Sequence, residues 1–571
     1  MKRLVLLAAL FVACTGSQKE TSSAASHGAA PADARPAPVA GAAAPATADA
    51  GVAAQPGSPA QPGAATEAGK EPRKPAEQAA MPPPASATAE AQPGAQAQPA
   101  APEAALMPDA PFRAQVPAPL PVQPHFEPPV PVQRKLQNGA RVLIVENHSV
   151  PLVAVDIRFL HGVDADPKDK PGLAEFVADT VDEGTKSRPA AKLAEEIEDL
   201  AASLGASASL ETTGVHLNCL AETLPKALDL LSDVVQNPAF RPEDVERVRL
   251  LKLTALEQKK ANTGALAADA AARILYGPSH PWGQPAGGTP EAVAAITPQD
   301  LAAFHDAWWV PNDAIISVSG DVKPAQMVQL LESAFASWKR RPLPRLSLPP
   351  FPTLSRRSID VREKGGTTQS QVWVVGRMFK ATSPDAIPMR VANLTLGGLF
   401  TSRLNLNLRE KHGYSYGVGS SLSLLRDSGT FAARGGIVAK NTVDAVKEYE
   451  NELKTFSNGK VSDAELAAAK EALVRGLPAA LETNDAVSGA MGNLVSLRLP
   501  LDYYRTFPAR IGKVRQKDVQ RVVTKWIKPD RWPVIIVGPV GQSKDALEKL
   551  NLGPVSVSPA VPAAKPSASS P

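Results

Sequence analysis

The chain has 571 residues, of which 44% are hydrophobic, 21% charged and only 5% aromatic. Its 61 basic and 57 acidic residues give a net charge of +4, which excludes the strongly basic footprint of a nucleic-acid-binding protein. No apolar run reaches the roughly 18 residues that a membrane-spanning helix needs, so no such helix is predicted.

The N-terminus has the pattern of a secretion signal. Lys2 and Arg3 precede an apolar run, Leu4–Val12, and Ala13 stands directly before Cys14. This order resembles a bacterial lipoprotein signal, which implies cleavage before Cys14 and its lipidation. The protein is then expected in the bacterial cell envelope, in the periplasm or at the outer membrane, and attached to a membrane through Cys14. A plain secretory signal with an incidental cysteine is the alternative.

Composition separates a folded core from two flanking segments. Of the 56 prolines, 23 lie in Thr15–Val130, and no Phe, Tyr or Trp occurs in Thr15–Pro111. A segment of this composition buries too little apolar surface to offset its chain entropy. Residues 15–130 are therefore predicted to be a disordered tether, and residues 544–571 a short helix end and a disordered tail. The core between them is long enough for two domains.

The core begins with strands and continues with helices. Alternating β-branched residues and amphipathic periods predict strands at Arg141–Glu146 and Leu152–Phe159, and helices at Gly172–Asp182, Ala190–Leu204, Leu224–Gln236 and Glu243–Asn262. This pattern favours an α/β (α+β) fold in which helices cover β-sheets.

The core also repeats itself. Asp300–Val322 aligns without a gap on Asp518–Val540, and each copy reads as a helix, a proline turn and a buried strand that ends at glycine. The repeat predicts two homologous domains from an internal duplication, a first half (residues 131–343) and a second half (residues 344–543).

Several stretches in the two halves carry a specific resemblance. Pro171–Thr185, Tyr276–Phe304, Val310–Val322 and Leu396–Ser420 are similar, in this order, to the pitrilysin/insulinase family of zinc peptidases, which includes the mitochondrial processing peptidase. The resemblance implies two sheet-plus-helix domains that form half of a clam-shell chamber. It also implies peptide substrates.

The zinc motif of that family is degenerate in this chain. The family carries HxxEH on the helix that here begins at Gly172, so Glu175 and Asp179 stand at the two His positions and Ala178 stands at the general-base position. The distal ligand is expected near Leu253–Leu256. The closest two of the eight histidines lie thirteen residues apart, so no helix presents a His pair at i, i+4. No metal cofactor is predicted in this chain, and the two acidic residues are expected to be solvated or hydrogen-bonded.

The second half retains the other residues of the family's site, although the first half has lost the zinc motif. Family enzymes complete their site with an Arg and a Tyr seven residues apart, and the segment REKHGYSY places Arg409 and Tyr416 at that spacing. A guanidinium can hold a substrate carboxylate or carbonyl, and a phenol can donate a hydrogen bond to an oxyanion. The alternative is that Arg409 is an ordinary helix residue and Tyr416 an aromatic residue at a strand edge.

The resemblance therefore implies an envelope-anchored, non-zinc subunit of a heterodimeric insulinase-type metallopeptidase. The chain would supply Arg409 and Tyr416 in trans to a family member that carries HxxEH and the zinc. Alone, it is not expected to be an active enzyme. The alternative function is that of a catalytically inactive peptidase-fold scaffold or peptide-binding protein.

Overall fold

The computed structural model describes residues 126–561. Cys14, the tether up to residue 125 and residues 562–571 lie outside the described residues. None of the described helices is long and apolar enough to cross a membrane.

Two six-stranded sheets organise the described chain, one in each half. The strand order is β1-β2-β6-β3-β5-β4 in the first sheet and β12-β7-β11-β8-β10-β9 in the second. The strands are β1 Val132–Lys135, β2 Arg141–Glu146, β3 Leu152–Phe159, β4 Ser203–Ala208, β5 Thr213–Leu220, β6 Ala314–Gly320, β7 Ile359–Glu363, β8 Gln369–Met378, β9 Ser415–Leu424, β10 Gly429–Val438, β11 Val534–Gly538 and β12 Val555–Pro559.

Helices fill the connections between strands and cover the sheets. The α-helices are α1 Leu173–Thr180, α2 Ala190–Asp199, α3 Leu224–Gln236, α4 Pro242–Lys259, α5 Thr263–Tyr276, α6 Pro290–Ala295, α7 Pro298–Trp308, α8 Pro324–Ala334, α9 Ala386–Asn393, α10 Arg403–Asn405, α11 Thr442–Asn458, α12 Asp463–Arg475, α13 Leu477–Ala480, α14 Asn484–Ser496, α15 Tyr503–Gly512, α16 Gln516–Trp526 and α17 Lys544–Lys549. Two π-helical segments, Leu394–Gly398 and Leu406–Lys411, flank α10.

The two halves repeat one arrangement, which confirms the predicted sheet-plus-helix fold. Helix α7 leads into β6 as α16 leads into β11, and these are the segments that the internal repeat pairs. Both β6 and β11 stand third in their sheets and lie parallel to the neighbouring strand β2 or β7. The outermost strands differ, because β1 pairs antiparallel with β2 whereas β12 pairs parallel with β7.

Two local expectations differ from the structure. The helix predicted at Ala190–Leu204 ends at Asp199, and Ser203 and Leu204 already belong to β4. The tail predicted to be disordered contains β12, whose alternating VSVSP sequence adds a strand beside β7. Both differences arise where a short strand follows residues whose composition favours another state.

Each sheet is covered on one face by a helix from the other half. Helix α14 of the second half packs on β3 and β6 of the first sheet, and α5 of the first half packs on β8 and β11 of the second. Small residues permit the close approach, since alanines make up much of α5 and a Cβ on Gly492 of α14 would lie 3.0 Å from Asp156 Oδ1. This exchange joins the halves, which belong to one compact unit.

Candidate functional site

Helix α1, which carries the degenerate motif, begins at a fixed turn. Gly172 has a φ of 91°, and a Cβ there would lie 2.6 Å from the Gly287 carbonyl oxygen, so only glycine fits. The buried Asp166 carboxyl group accepts hydrogen bonds from the amides of Gly172 and Ala174, both at 2.8 Å. Burial raises the pKa of Asp166 to about 8, although these hydrogen bonds and the charge of Lys252 oppose the rise.

The two acidic positions of the motif share one cation. Lys252 of α4 places its Nζ 3.0 Å from Asp179 Oδ2 and 3.5 Å from Glu175 Oε2. The lysine side chain is only 8% exposed, and Ala178, at the position of the family's general base, is buried. The structure thus brings Glu175 and Asp179 together, as their four-residue spacing on a helix predicts, but around an ammonium group.

This set of residues does not fit zinc. Zinc in proteins is held by cysteine, histidine and carboxylate groups, and an ammonium group has no lone pair to donate and would repel a dication. Across residues 126–561, no group of three or more His, Cys, Asp or Glu side chains is placed so that it could hold a metal ion. Ala178 also offers no base that could activate a water molecule.

Lys252 is the residue of this region that the sequence analysis missed. The distal ligand was expected near Leu253–Leu256, and a lysine is not a residue type that binds zinc. The spacing of Lys252, Leu256 and Lys259 puts all three on one face of α4, and opposite charges at Glu175 and Asp179 were the signal that could have identified the lysine.

Arg409 lies in the second π-helical segment, Leu406–Lys411. Its guanidinium carbon stands 4.6 Å from the centroid of the Phe400 ring, and its Nε lies 3.3 Å from Glu410 Oε1. The Arg409 side chain is 37% exposed, and Phe400 and Leu406 beside it are also exposed. A cation stacked on an aromatic face keeps its outward edge available for an acceptor group.

Tyr416 stands near the start of β9, at the edge of the second sheet. The turn before it is set by Gly413, whose φ is 62° and whose amide donates to the Arg409 carbonyl oxygen at 2.9 Å. The side chain of Tyr416 is 85% exposed, the largest exposed fraction among the exposed large hydrophobic residues of the described chain. The roles of Arg409 and Tyr416 stay predictions.

Comparison with known families finds two family models along the described chain. Residues 141–277 match the model of the insulinase family, peptidase family M16, and residues 295–473 match the model of the peptidase M16 inactive domain. Together the two matches span more than half of the chain. The chain belongs to the insulinase family. Within that family it resembles the members whose HxxEH motif has been lost.

Similar sequences of the family carry two kinds of name. The chain is 26% identical over 386 residues to an uncharacterized zinc protease of Mycobacterium tuberculosis, a match that covers 66% of this chain and 86% of the relative. It is 28% identical over 393 residues to a non-peptidase homologue of Helicobacter pylori, covering 67% of this chain and 88% of the relative. Identity at this level therefore includes proteins named as peptidases and one named as a non-peptidase.

Solved structures show the same fold. A peptidase M16 inactive domain from Pseudomonas fluorescens superposes with a TM-score of 0.67 at 24% identity, covering 72% of this chain and 98% of that one. A protease from Helicobacter pylori superposes with a TM-score of 0.65 at 19% identity, covering 72% and 99%. The described chain thus has an M16 inactive-type peptidase fold.

Proposed function

We propose that this protein is the non-zinc subunit of a two-chain insulinase-type peptidase, in which it binds peptide substrates and stabilises the transition state. The zinc and its HxxEH motif would belong to a partner chain of the same family. The observation that carries this proposal is the pair of accessible side chains in the second half, Arg409 and Tyr416, beside a described first half in which no group of His, Cys, Asp and Glu side chains could hold a metal ion.

The chemistry of the pair suits a peptide bond under attack. Tyr416 carries a phenol on an edge strand, and its O–H can donate to the oxyanion that forms at the scissile carbonyl. Arg409 can donate two parallel hydrogen bonds to a carboxylate or carbonyl of the substrate. The exposed side chain of Phe400, on which Arg409 stacks, and that of Leu406 supply apolar surface for a substrate side chain.

A mixing experiment tests the proposal. The purified chain is combined with a family member from the same organism that has an intact HxxEH motif, and cleavage of an unstructured peptide is followed. The mixture should cleave it and neither chain alone should. Arg409→Ala should raise KM more than it lowers kcat, because it removes binding shared by the ground and transition states. A mixture that forms a complex without any cleavage would contradict the proposal.

A scaffold or peptide-binding protein is the second candidate function. The ion pairs of Lys252 favour it, because they join α1 and α4 within the chain, so the first half needs neither a metal ion nor a partner chain to hold these helices together. This candidate predicts that peptides bind to the chain alone and stay intact in every mixture. Binding measured by fluorescence anisotropy, together with the cleavage assay, separates the two functions.

We further propose that the protein is held at the cell envelope by a lipid on Cys14, which the order of basic, apolar and small residues before it supports. The full-length protein should then partition into the detergent phase of a Triton X-114 extraction, and Cys14→Ser should move it to the aqueous phase or block processing. A wild-type protein found wholly in the aqueous phase would contradict anchoring.

A further inference from the structure

Helix α4 directs two lysines inward, and each meets carboxylates of another element. Lys252 pairs with Glu175 and Asp179 of α1, and Lys259, two turns later, lies 2.6 Å from Asp269 of α5. Both lysine side chains are largely buried, at 8% and 18% exposure. An ammonium group is buried at this depth only when it is paired, because desolvation of an isolated charge is costly.

The Lys252 pairing has a particular location. Its partners are the residues at the two His positions of the degenerate motif, and they lie one helical turn apart on the same face of α1. In family members with an intact motif, histidines at these two positions would direct a metal ion to one point. The side chains of Glu175 and Asp179 converge on that same point. Nζ of Lys252 stands there, within 3.5 Å of an oxygen from each partner.

We propose that the ammonium group of Lys252 occupies the position of the lost metal ion as a built-in cation. Its contacts with Glu175 and Asp179 join α4 to α1, as a metal ion bound by both helices would. The first half therefore stays assembled without metal. Two neutral ligands around a dication are replaced by two carboxylates around a monocation, so the central cation is still attracted to both positions on α1. Restoring the HxxEH residues on α1 is then not sufficient to restore metal binding, because the lysine still fills the site.

Zinc binding to revertants of the motif tests this. The starting variant is Glu175→His/Ala178→Glu/Asp179→His, and three derivatives add Lys252→Met, Lys252→Glu or, as the matched control, Lys260→Met. Lys260 directly follows α4, and its side chain is 41% exposed. Zinc affinity is measured by competition with a chelating dye, and circular dichroism checks that every variant folds.

The three substitutions should distinguish the effect of removing a positive charge from the effect of adding a metal ligand. The starting variant and its Lys260→Met control should bind zinc weakly. Adding Lys252→Met should tighten binding by about tenfold or more, because the repelling charge leaves the site. Adding Lys252→Glu should tighten it further to about one zinc per chain, because a third ligand enters. Equal affinities with Lys252 and with Lys252→Met would overturn the proposal.

The thermal stability of variants of the natural sequence tests the proposal without any metal. Lys252→Met should lower the Tm, since two facing carboxylates lose a shared cation, and Glu175→Gln/Asp179→Asn should also lower it, since a buried ammonium loses two opposite charges. The variant that combines Lys252→Met with Glu175→Gln/Asp179→Asn should lose less Tm than the sum of the two separate losses. The control Lys260→Met should leave the Tm unchanged. If the losses of the two sets of substitutions were strictly additive in the combined variant, Lys252 would not hold the two carboxylates together.

Discussion

The connection between the strands β3 and β4 in the first half and the connection between β8 and β9 in the second half occupy equivalent places in the two sheets. The first contains α1, whose acidic residues face Lys252 in the interior. The second contains α9, α10 and two π-helical segments, and it leads to Arg409 and Tyr416 at the surface. The two acidic groups of the first connection share a buried lysine of the same chain, while Tyr416 after the second connection is exposed and Arg409 is partly exposed.

This difference indicates how a duplicated peptidase fold can lose one half of its site and keep the other. An exposed tyrosine and a partly exposed arginine stacked on Phe400 contribute little to stability, so their presence is better explained by binding. The π-helical geometry around them agrees, because π-bulges are frequent at functional sites.

The largest expected effect on stability lies where the second connection crosses its sheet. A Cβ on Gly397 would lie 2.4 Å from the amide nitrogen of Ser420 in β9, so Gly397→Ala forces the π-helical segment away from the strand. We expect a loss of about 2–3 kcal/mol in the free energy of unfolding, measured by urea denaturation.

Gly417→Ala is the matched control for that substitution. Gly417 lies in β9, the strand that Gly397 approaches, and its added Cβ would meet no atom within 4 Å. It should change the free energy of unfolding by no more than about 0.5 kcal/mol. Equal effects of the two substitutions would show that close approach does not fix the second connection.

A smaller effect concerns pH and the interior of the first half. Burial lowers the pKa of His305 to about 4, and its Nε2–H donates to the Val235 carbonyl oxygen at 2.9 Å. The unfolded chain takes up the proton near pH 6.5 while the folded chain does not. The stability that this neutral histidine contributes is therefore complete above pH 6.5 and is lost as the pH falls toward 4.

His305→Gln should weaken this dependence. Between pH 6.5 and about pH 5, the wild type should lose about 1–2 kcal/mol more of its free energy of unfolding than the variant does. The difference between the two proteins is the quantity to compare, because burial raises the pKa values of Asp166 and Glu211, which makes these groups act in the opposite direction. Parallel pH curves for both proteins would contradict the assignment.

The sequence predicted those features that depend on local periodicity. The bounds of β2, β3 and α3 agree with the alternating and helical patterns, and the repeat located two equivalent segments in two sheets. The degenerate motif positions were identified because α1 keeps the glycine and apolar residues around them. The short strands β4 and β12 were missed, since pairing with a neighbouring strand, which sequence does not display, decides their state.

The partner of the motif residues could not be found from α1 alone. Lys252 lies 73 residues after Asp179 in the chain, and only the packing of α4 on α1 brings them together. Whether Arg409 and Tyr416 are accessible also depends on tertiary structure, because a side chain in a strand can point to either face of the sheet. The residue types were predictable, and their burial and pairing were not.

The turnover of the mixed peptidase with Tyr416→Phe tests the central claim most directly. The change deletes one hydroxyl from an 85% exposed side chain, so complex formation and the free energy of unfolding should stay as in the wild type. Tyr414→Phe deletes a hydroxyl two residues earlier, from a ring that stacks on His412, and serves as the control. We predict that kcat falls roughly 10²–10³-fold for Tyr416→Phe and stays unchanged for Tyr414→Phe. Wild-type turnover in the assembled Tyr416→Phe complex would contradict the account.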